Sequence, residues 1–472
     1  MRNVVVVGAG PAGLAAAVSA LDAGARVTLI DADRSLGGQY WRTPPPERGL
    51  PERASQHGRS RFMTLRSRVR SDDACDVLTR TQVWSIERTT ASGSGLALNI
   101  ATGPADGIGQ ELRTVLPDAL VLATGAHDRT LPFPGWELPG VVTAGAAQAM
   151  AKAERVRVGT DVVIAGAGPF LLPVAKAVAE SGSRVRGVFE ASRASTALRG
   201  WALPAPARLL GAPSKLVELA GYSAVFVSRG IPYRTGTGIV AAHGSSRVES
   251  VTIARLTPRW TPIAGTERTI TADAVCVSHG FTPRTELALA AGCAMTTAGF
   301  VRVDAAQQTS VRGVYAAGEV TGIGGAQLAL AEGAIAGAAA AGAATPASPR
   351  TRRARGVHAD LALRIERAHG IPAGWTQSVP DDTVICRCEG VTCGEIRRAA
   401  STLDDPGLRS IKLTTRATLG LCQGRICGRS VEQLLATGPS RDGATTDRRP
   451  LVTPQRIGDL AALAPDANSD RR

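Results

Sequence analysis

The cysteines of this chain are unevenly placed. Cys75, Cys276 and Cys293 are scattered, whereas Cys386, Cys388, Cys393, Cys422 and Cys427 crowd together near the C-terminal end. Four of the crowd form a C-x-C pair and a C-x4-C pair, with 33 residues between Cys388 and Cys422. In an extended segment residues two apart point the same way, so Cys386 and Cys388 can both reach one metal. Cys422 and Cys427 bracket QGRI, whose glycine lets the backbone turn until both sulfurs converge. Four convergent thiolates suit zinc or a 2Fe-2S cluster, and the spacing alone excludes neither. Cys393 reads as a packed thiol outside this set, with a spare ligand as the alternative.

A second kind of chemistry is written at the N-terminus. Four consecutive valines, Val4 to Val7, read as a strand buried on both faces and lead into GAGPAG. Gly8 permits the tight turn, Gly10 lets the backbone approach a pyrophosphate, and Gly13 lets the following helix pack close to the strand, with Ala12 beside it. The helix N-terminus offers free N–H groups and partial positive charge to the phosphates. An alanine-rich helix follows, and GARVTLID then ends a strand at Asp31, placed to hydrogen-bond a ribose.

The stretch DVVIAGAGPFLLPVA repeats that pattern, with Gly166 and Gly168 in the places of Gly8 and Gly10 and an acid, Glu190, at the end of the next strand. At the third glycine's place stands Leu171. Over-packing of that kind costs about 1 to 3 kcal/mol unless the backbone shifts, so the helix is expected to sit differently. Three readings stay open here: a working NAD(P)H site with relaxed geometry, a structural remnant, or a site for another adenine nucleotide.

Two further stretches resemble those by which two-dinucleotide-binding flavoproteins hold FAD. ALVLATGAHDR, residues 119–129, is similar to their strand and ATG turn, and TSVRGVYAAGEV, residues 309–320, is similar to the strand that meets the ribityl and phosphate groups. The resemblance implies roles in binding FAD for Thr124, Gly125, Gly318 and Glu319, the last standing where the family usually has aspartate, and for Gly38, Gln39 and Val83. GGAQLALAEG then opens a helix whose positive end could face the flavin. Residues 383–428, with CRCE, VT, EI and TR followed by CQGR, closely resemble the small helical domain of bacterioferritin-associated ferredoxin. That implies a 2Fe-2S cluster held by Cys386, Cys388, Cys422 and Cys427. Such an oxidised unit carries a net charge near minus two, and Arg387, Arg416, Arg425 and Lys412 are expected to offset it and raise the reduction potential.

The fold expected is α/β, with two Rossmann-like dinucleotide-binding domains, one inserted in the other, and a small helical 2Fe-2S-binding domain. Residues 1–150 and 271–345 form the FAD-binding domain and 151–270 the NAD(P)-binding-like domain. A linker covers 346–379, the cluster domain 380–440 and an irregular tail 441–472. Up to about residue 440 the chain resembles the larger subunit of heteromeric amine and amino-acid dehydrogenases, a group that includes opine oxidases, proline and hydroxyproline dehydrogenases and hydrogen cyanide synthase. That resemblance implies an FAD-dependent oxidoreductase, an electron-transfer subunit whose partner is a flavoprotein like sarcosine or glycine oxidase and whose acceptor is one such as a quinone. The rival reading is a stand-alone NAD(P)H-dependent flavin reductase with the cluster as electron outlet.

No acid–base or nucleophilic constellation is visible. No acid or nucleophile is visible in the sequence to work with His127 or His279, and both read as packing or backbone-bonding residues. No CxxC or CxxxxC lies near either flavin segment, so disulfide chemistry is not expected.

The formal charge of +14 comes almost wholly from dispersed arginines; the only lysines are Lys152, Lys176, Lys215 and Lys412. Without a basic patch interleaved with aromatics, nucleic acid is not expected as a partner. MRNVVVVG runs straight into a strand with no signal-peptide pattern, and no stretch has the length and apolarity of a membrane span. A cytoplasmic protein is expected, at most peripheral to the membrane through its electron acceptor.

Overall fold

The valine run behaves as its composition requires. Val4, Val5 and Val6 are fully buried, and Asn3–Val7 is the middle strand of a five-stranded parallel sheet in the order Val314–Ala316, Ala119–Leu122, Asn3–Val7, Arg26–Ile30, Cys75–Leu78. This computed structural model of the protein describes residues 1–45, 49, 58–104, 107–203, 213–345, 347–403, 407–435, 445–449 and 451–463.

The chain divides into two compact units. The first comprises Met1–Ala126, Pro283–Ala359 and Arg448–Arg472, and the second His127–Thr282 and Asp360–Asp447. The second has its own parallel sheet, in the order Tyr233–Thr235, Arg184–Glu190, Asp161–Gly166, Ala274–Ser278, Val141–Thr143. The boundaries therefore differ from those read in the sequence. Val141–Thr143 and Ala274–Ser278 both hydrogen-bond into the second sheet, which places residues 127–150 and 271–282 in the second unit.

Residues 346–379, read as a linker, contain the helix Pro349–His369. Proline at its first position has a φ suited to a helix start, and the arginine- and alanine-rich sequence has high helix propensity. Part of the tail is ordered as well: Val452 packs into the first unit's core and its N–H donates to Trp84 O, and Ile457–Leu463 is helical. Residues 436–444 and 464–472 of the cluster domain and tail lie outside the described residues.

The first unit is held by a close approach of two helices. Pro11–Asp22 packs along Gly325–Ala340, where a Cβ on Gly333 would lie 2.0 Å from Ala12 O and one on Gly337 2.0 Å from Ala16 O. With only Cα hydrogens at the seam the backbones come into van der Waals contact, and dispersion over that length takes the place of interlocking large side chains. An antiparallel sheet of Thr81–Arg88, Leu96–Thr102 and Glu111–Val115 completes this unit.

Within the second unit the small C-terminal domain has its own core of Ile385, Cys393, Ile396, Ile411 and Val431, shared with Trp375 and Leu131. A hairpin of Val384–Cys386 and Val391–Thr392 leads into the helix Cys393–Thr402, whose start is fixed by a reciprocal capping box between Thr392 and Glu395. The helices Leu408–Thr415 and Gly428–Leu435 follow. Among the described residues no helix is long and apolar enough to cross a membrane.

Gly333→Ala is expected to lower the melting temperature, because the seam must open by the width of a methyl at a cost of about 1 to 3 kcal/mol. Gly356 lies in the interior of the helix Pro349–His369 with nothing within 4 Å of its Cβ position; Gly356→Ala should stabilise by up to about 1 kcal/mol. Thermal denaturation followed by circular dichroism reads both.

Candidate functional site

In the first unit the sequence motifs converge on one groove. Gly8 has φ +103°, and a Cβ there would lie 2.3 Å from Ala123 O; a Cβ on Gly13 would lie 1.6 Å from Gly8 O. The helix thus begins immediately after Gly10, with Leu14 N–H already donating to Gly10 O at 2.9 Å. A Cβ on Gly10 would meet only backbone, the Gly38 Cα at 4.0 Å. Gly38, at φ +57°, brings its own loop over this position.

Asp31 ends the second strand, accepting from Ala9 N–H at 2.5 Å and Asp33 N–H at 2.8 Å. Burial pushes its carboxyl up to about 6 against those two bonds, with Arg284 drawing it down. Thr124 and Gly125 are pinned to Arg284: Thr124 Oγ1 donates to Arg284 O at 2.7 Å and Arg284 N–H to Gly125 O at 2.9 Å. Gly125 has φ +73° and nothing near its Cβ position.

Ala12 is in the helix seam, 2.9 Å from where a Gly318 Cβ would be. Gln39 is exposed and accepts from Arg42. The side chain of Val83 belongs to the core, so only its backbone, at a bulge of the strand Thr81–Arg88, is free to offer a nucleotide contact.

At the opposite end of the groove Glu319 Oε1 accepts from Gly325 N–H at 2.8 Å, the first residue of the helix Gly325–Ala340, while its Oε2 is buried with no hydrogen-bond partner among the described residues. A buried carboxylate oxygen left without a partner, one residue from Gly318, fits a ligand rich in hydroxyls. Glu332 is the one charged residue of that helix and was not singled out from the sequence. Its Oε2 accepts from Gly318 N–H at 3.0 Å and Thr321 Oγ1 at 2.7 Å, and Arg355 lies 3.5 Å from its Oε1. A lone acid in an Ala/Gly helix that buries almost everything was the available signal.

The second glycine loop has a different shape. Gly166, at φ +142°, is held against Ser278 O as Gly8 is against Ala123 O. Leu171, fully buried, is the first residue of its α-helix, whereas the first helix starts at Pro11, the counterpart of Pro169. The intervening turn closes through Leu171 N–H to Gly168 O and Leu172 N–H to Pro169 O, both 3.2 Å, in place of the regular spacing seen after Gly10. The late start follows from packing, since Leu171 has no room where Gly13 sits.

Also in the second unit, the thiols of Cys386, Cys388, Cys422 and Cys427 form one chain of contacts. Cys427 hydrogen-bonds both Cys386 and Cys422, and Cys388 hydrogen-bonds Cys422. Through the Cys427 bond foremost, the Cys422 thiol is drawn down to about 4 and Cys386 to about 6, and the same bonds push Cys427 up. Among the described residues no three His, Cys, Asp or Glu already stand in coordinating geometry, so the sulfurs must draw inward around a metal. Cys393 lies apart, fully buried at the head of its helix.

Around these cysteines Arg387 stacks over the Trp136 ring at 5.1 Å and donates to Glu137 O at 3.2 Å, and Arg416 is paired with Glu389 at 2.7 Å. His127 Nε2 meets Arg425 O at 2.8 Å. His279 Nδ1 accepts from Leu131 N–H at 3.3 Å, and burial, with Arg129 nearby, pushes its pKa down to about 4. Both histidines bond to backbone.

A family model described as pyridine nucleotide-disulphide oxidoreductase matches residues 2–338. The chain belongs to this family. A second model, the BFD-like [2Fe-2S] binding domain, matches residues 384–437 and decides between zinc and iron–sulfur in favour of the latter. The chain is therefore an FAD-dependent oxidoreductase with a 2Fe-2S domain. This pyridine nucleotide-disulphide oxidoreductase is 33% identical to the HcnB subunit of hydrogen cyanide synthase from Pseudomonas protegens over 95% of both chains. It is 32% identical to an opine oxidase subunit from Agrobacterium tumefaciens over 98% of this chain and 92% of that one. Its fold matches the crystal structure of L-proline dehydrogenase from P. horikoshii with a TM-score of 0.66, at 19% identity, over 98% of this chain and 79% of that one.

Cys422→Ser is expected to abolish the visible absorption of the cluster, and Cys393→Ser to leave it unchanged, as read by iron content and spectrum. Burial pushes the Glu319 carboxyl up to about 7 against the lowering bond from Gly325 N–H, and Glu332 adds to the rise. A carboxyl raised in this way favours the fold while protonated; the contribution is complete below the ordinary value of 4.5 and is lost as pH rises through about 7. FAD-stripped Glu319→Gln should accordingly gain melting temperature over wild type at pH of about 8 far more than at pH of about 4.

Proposed function

We propose that this chain is the electron-transfer subunit of a heteromeric amine or amino-acid dehydrogenase, of the opine, D-hydroxyproline, proline or glycine type, passing electrons between FAD and the 2Fe-2S cluster. FAD supplies two-electron chemistry that can be divided into single electrons, and the cluster takes them one at a time. Gly8, Gly10, Gly13, Asp31, Gly38, Thr124, Gly125, Gly318 and Glu319 would hold the flavin dinucleotide, with Ala12, Gln39 and Val83 at its margins. Cys386, Cys388, Cys422 and Cys427 would ligate the cluster.

The observation that carries this reading is that one chain combines the FAD groove with the four-thiol domain and aligns along 95% of its length with a protein named as part of a synthase. The other named relatives, from opine oxidase and sarcosine oxidase, are subunits too. Substrate oxidation would then lie in a partner like sarcosine or glycine oxidase. Leu421, next to Cys422, is 95% exposed, an apolar side chain suited to a protein contact beside the cluster. The electrons would leave to an acceptor such as a quinone.

Anaerobic photoreduction of the purified chain, followed by flavin absorbance and low-temperature EPR, tests the reading. Flavin bleaching followed by the signal of a reduced 2Fe-2S cluster is expected. Reduced flavin beside an EPR-silent, iron-free domain would overturn it. In the same titrations Arg387→Gln should lower the cluster midpoint potential more than Arg416→Gln, whose charge Glu389 already offsets.

A further inference from the structure

In a dinucleotide fold the pyrophosphate lies against the second glycine of the loop and the ribose against the acid that ends the second strand. At the first loop a Cβ on Gly10 would meet only backbone, the Gly38 Cα at 4.0 Å. At the second loop both places are taken by the last turns of the helix Pro349–His369. His369 Cβ lies 3.8 Å from the Cβ position of Gly168, and His369 Nδ1 faces Glu190 Oε1 at 3.4 Å. The other oxygen of Glu190 accepts from Gly168 N–H at 2.9 Å, and the carboxylate is 1% exposed. Trp201 Nε1 donates to His369 Nε2 at 3.1 Å, which in the neutral ring leaves the proton on Nδ1, on the side of Glu190.

The turn that carries His369 is firmly held. Arg364, completely buried, donates to Trp201 O at 2.5 Å and Leu203 O at 3.3 Å and pairs with Asp360 at 2.7 Å. Gly200 has no room for a side chain, because Ala368 N and Cα lie 2.5 Å from its Cβ position. Beside this strap a small cleft is lined by Ser192, Arg193, Thr196, Trp260 and Arg367, but no residue of the glycine loop reaches it. The late helix start at Leu171 weakens the loop further, because the free N–H groups are no longer gathered at Gly168.

We infer that the chain fills its own nicotinamide-nucleotide site: His369 occupies the place of the ribose on Glu190 and shields the Gly168 amide, so that neither NADH nor NADPH delivers electrons here. The nicotinamide cofactor that the family name implies does not fit this domain, and reducing equivalents enter by another route.

The test uses the complete holoprotein. Equilibrium dialysis with NAD+ and anaerobic mixing with NADH or NADPH should show no saturable binding and no flavin bleaching, while photoreduction of the same sample confirms that its flavin is competent. His369→Ala, checked for unchanged FAD and iron content and melting temperature, should bind NAD+ at least about tenfold more tightly than wild type, with Trp201→Phe in between. Rapid bleaching of the wild-type flavin by either nucleotide overturns the inference. So does a His369→Ala protein that binds NAD+ no better than wild type, because the exclusion would then lie in the displaced helix and not in the strap.

Discussion

A carbonyl oxygen, that of Gly8, lies 1.6 Å from where a Cβ on Gly13 would be, and the FAD-binding unit is arranged around that contact. Because only a hydrogen stands there, the helix Pro11–Asp22 touches the strand before it and starts at once, aiming its first free N–H groups over Gly10. The same helix presents Ala12 and Ala16 to Gly333 and Gly337, which sets the position of the helix Gly325–Ala340 and of the carboxylates Glu319 and Glu332 near its N-terminal half. One missing methyl is thus transmitted through two helices to the far end of the groove.

The second loop shows the consequence of relaxing that constraint. Leu171 fills the core but delays its helix, and the loop keeps the shape of a nucleotide site while losing the gathered N–H groups on which phosphate affinity depends. The acid at the end of the strand survives as Glu190, bonded to backbone and facing His369 instead of a ribose. Duplicated folds tolerate this because the sheet and its buried strands are stabilised by apolar burial that does not involve the ligand.

Buried charge is used differently in the two units. Glu319 and Glu332 are acids kept out of water: Glu332 adds to the cost of ionising Glu319, which is bonded to backbone N–H, while Glu332 leans on Thr321, Gly318 N–H and Arg355. The four cysteines do the reverse: thiol-to-thiol bonds draw Cys422 and Cys386 toward thiolate, the form a metal requires. Arg387 lies beside them held by an aromatic ring and a backbone carbonyl, whereas the charge of Arg416 is offset by the Glu389 carboxylate.

Much of the site was legible in the sequence because it is built from local pattern. Valines before GAGPAG, an acid ending the next strand, and paired cysteines with a glycine between them specify chemistry within a few residues of themselves, where strand alternation and turn geometry leave little choice. Leu171 likewise announced a displaced helix, since its volume is a local fact. What the sequence did not determine is whatever depends on which separate segments meet: that Val141–Thr143 joins the second sheet, that Glu332 lies under Gly318, and that His369 covers Gly168. Those contacts join residues well apart in the chain, up to some 200 positions in the last case, and are set by packing of whole elements. No window of residues contains that information, so only the tertiary structure decided whether the second glycine loop was open or filled.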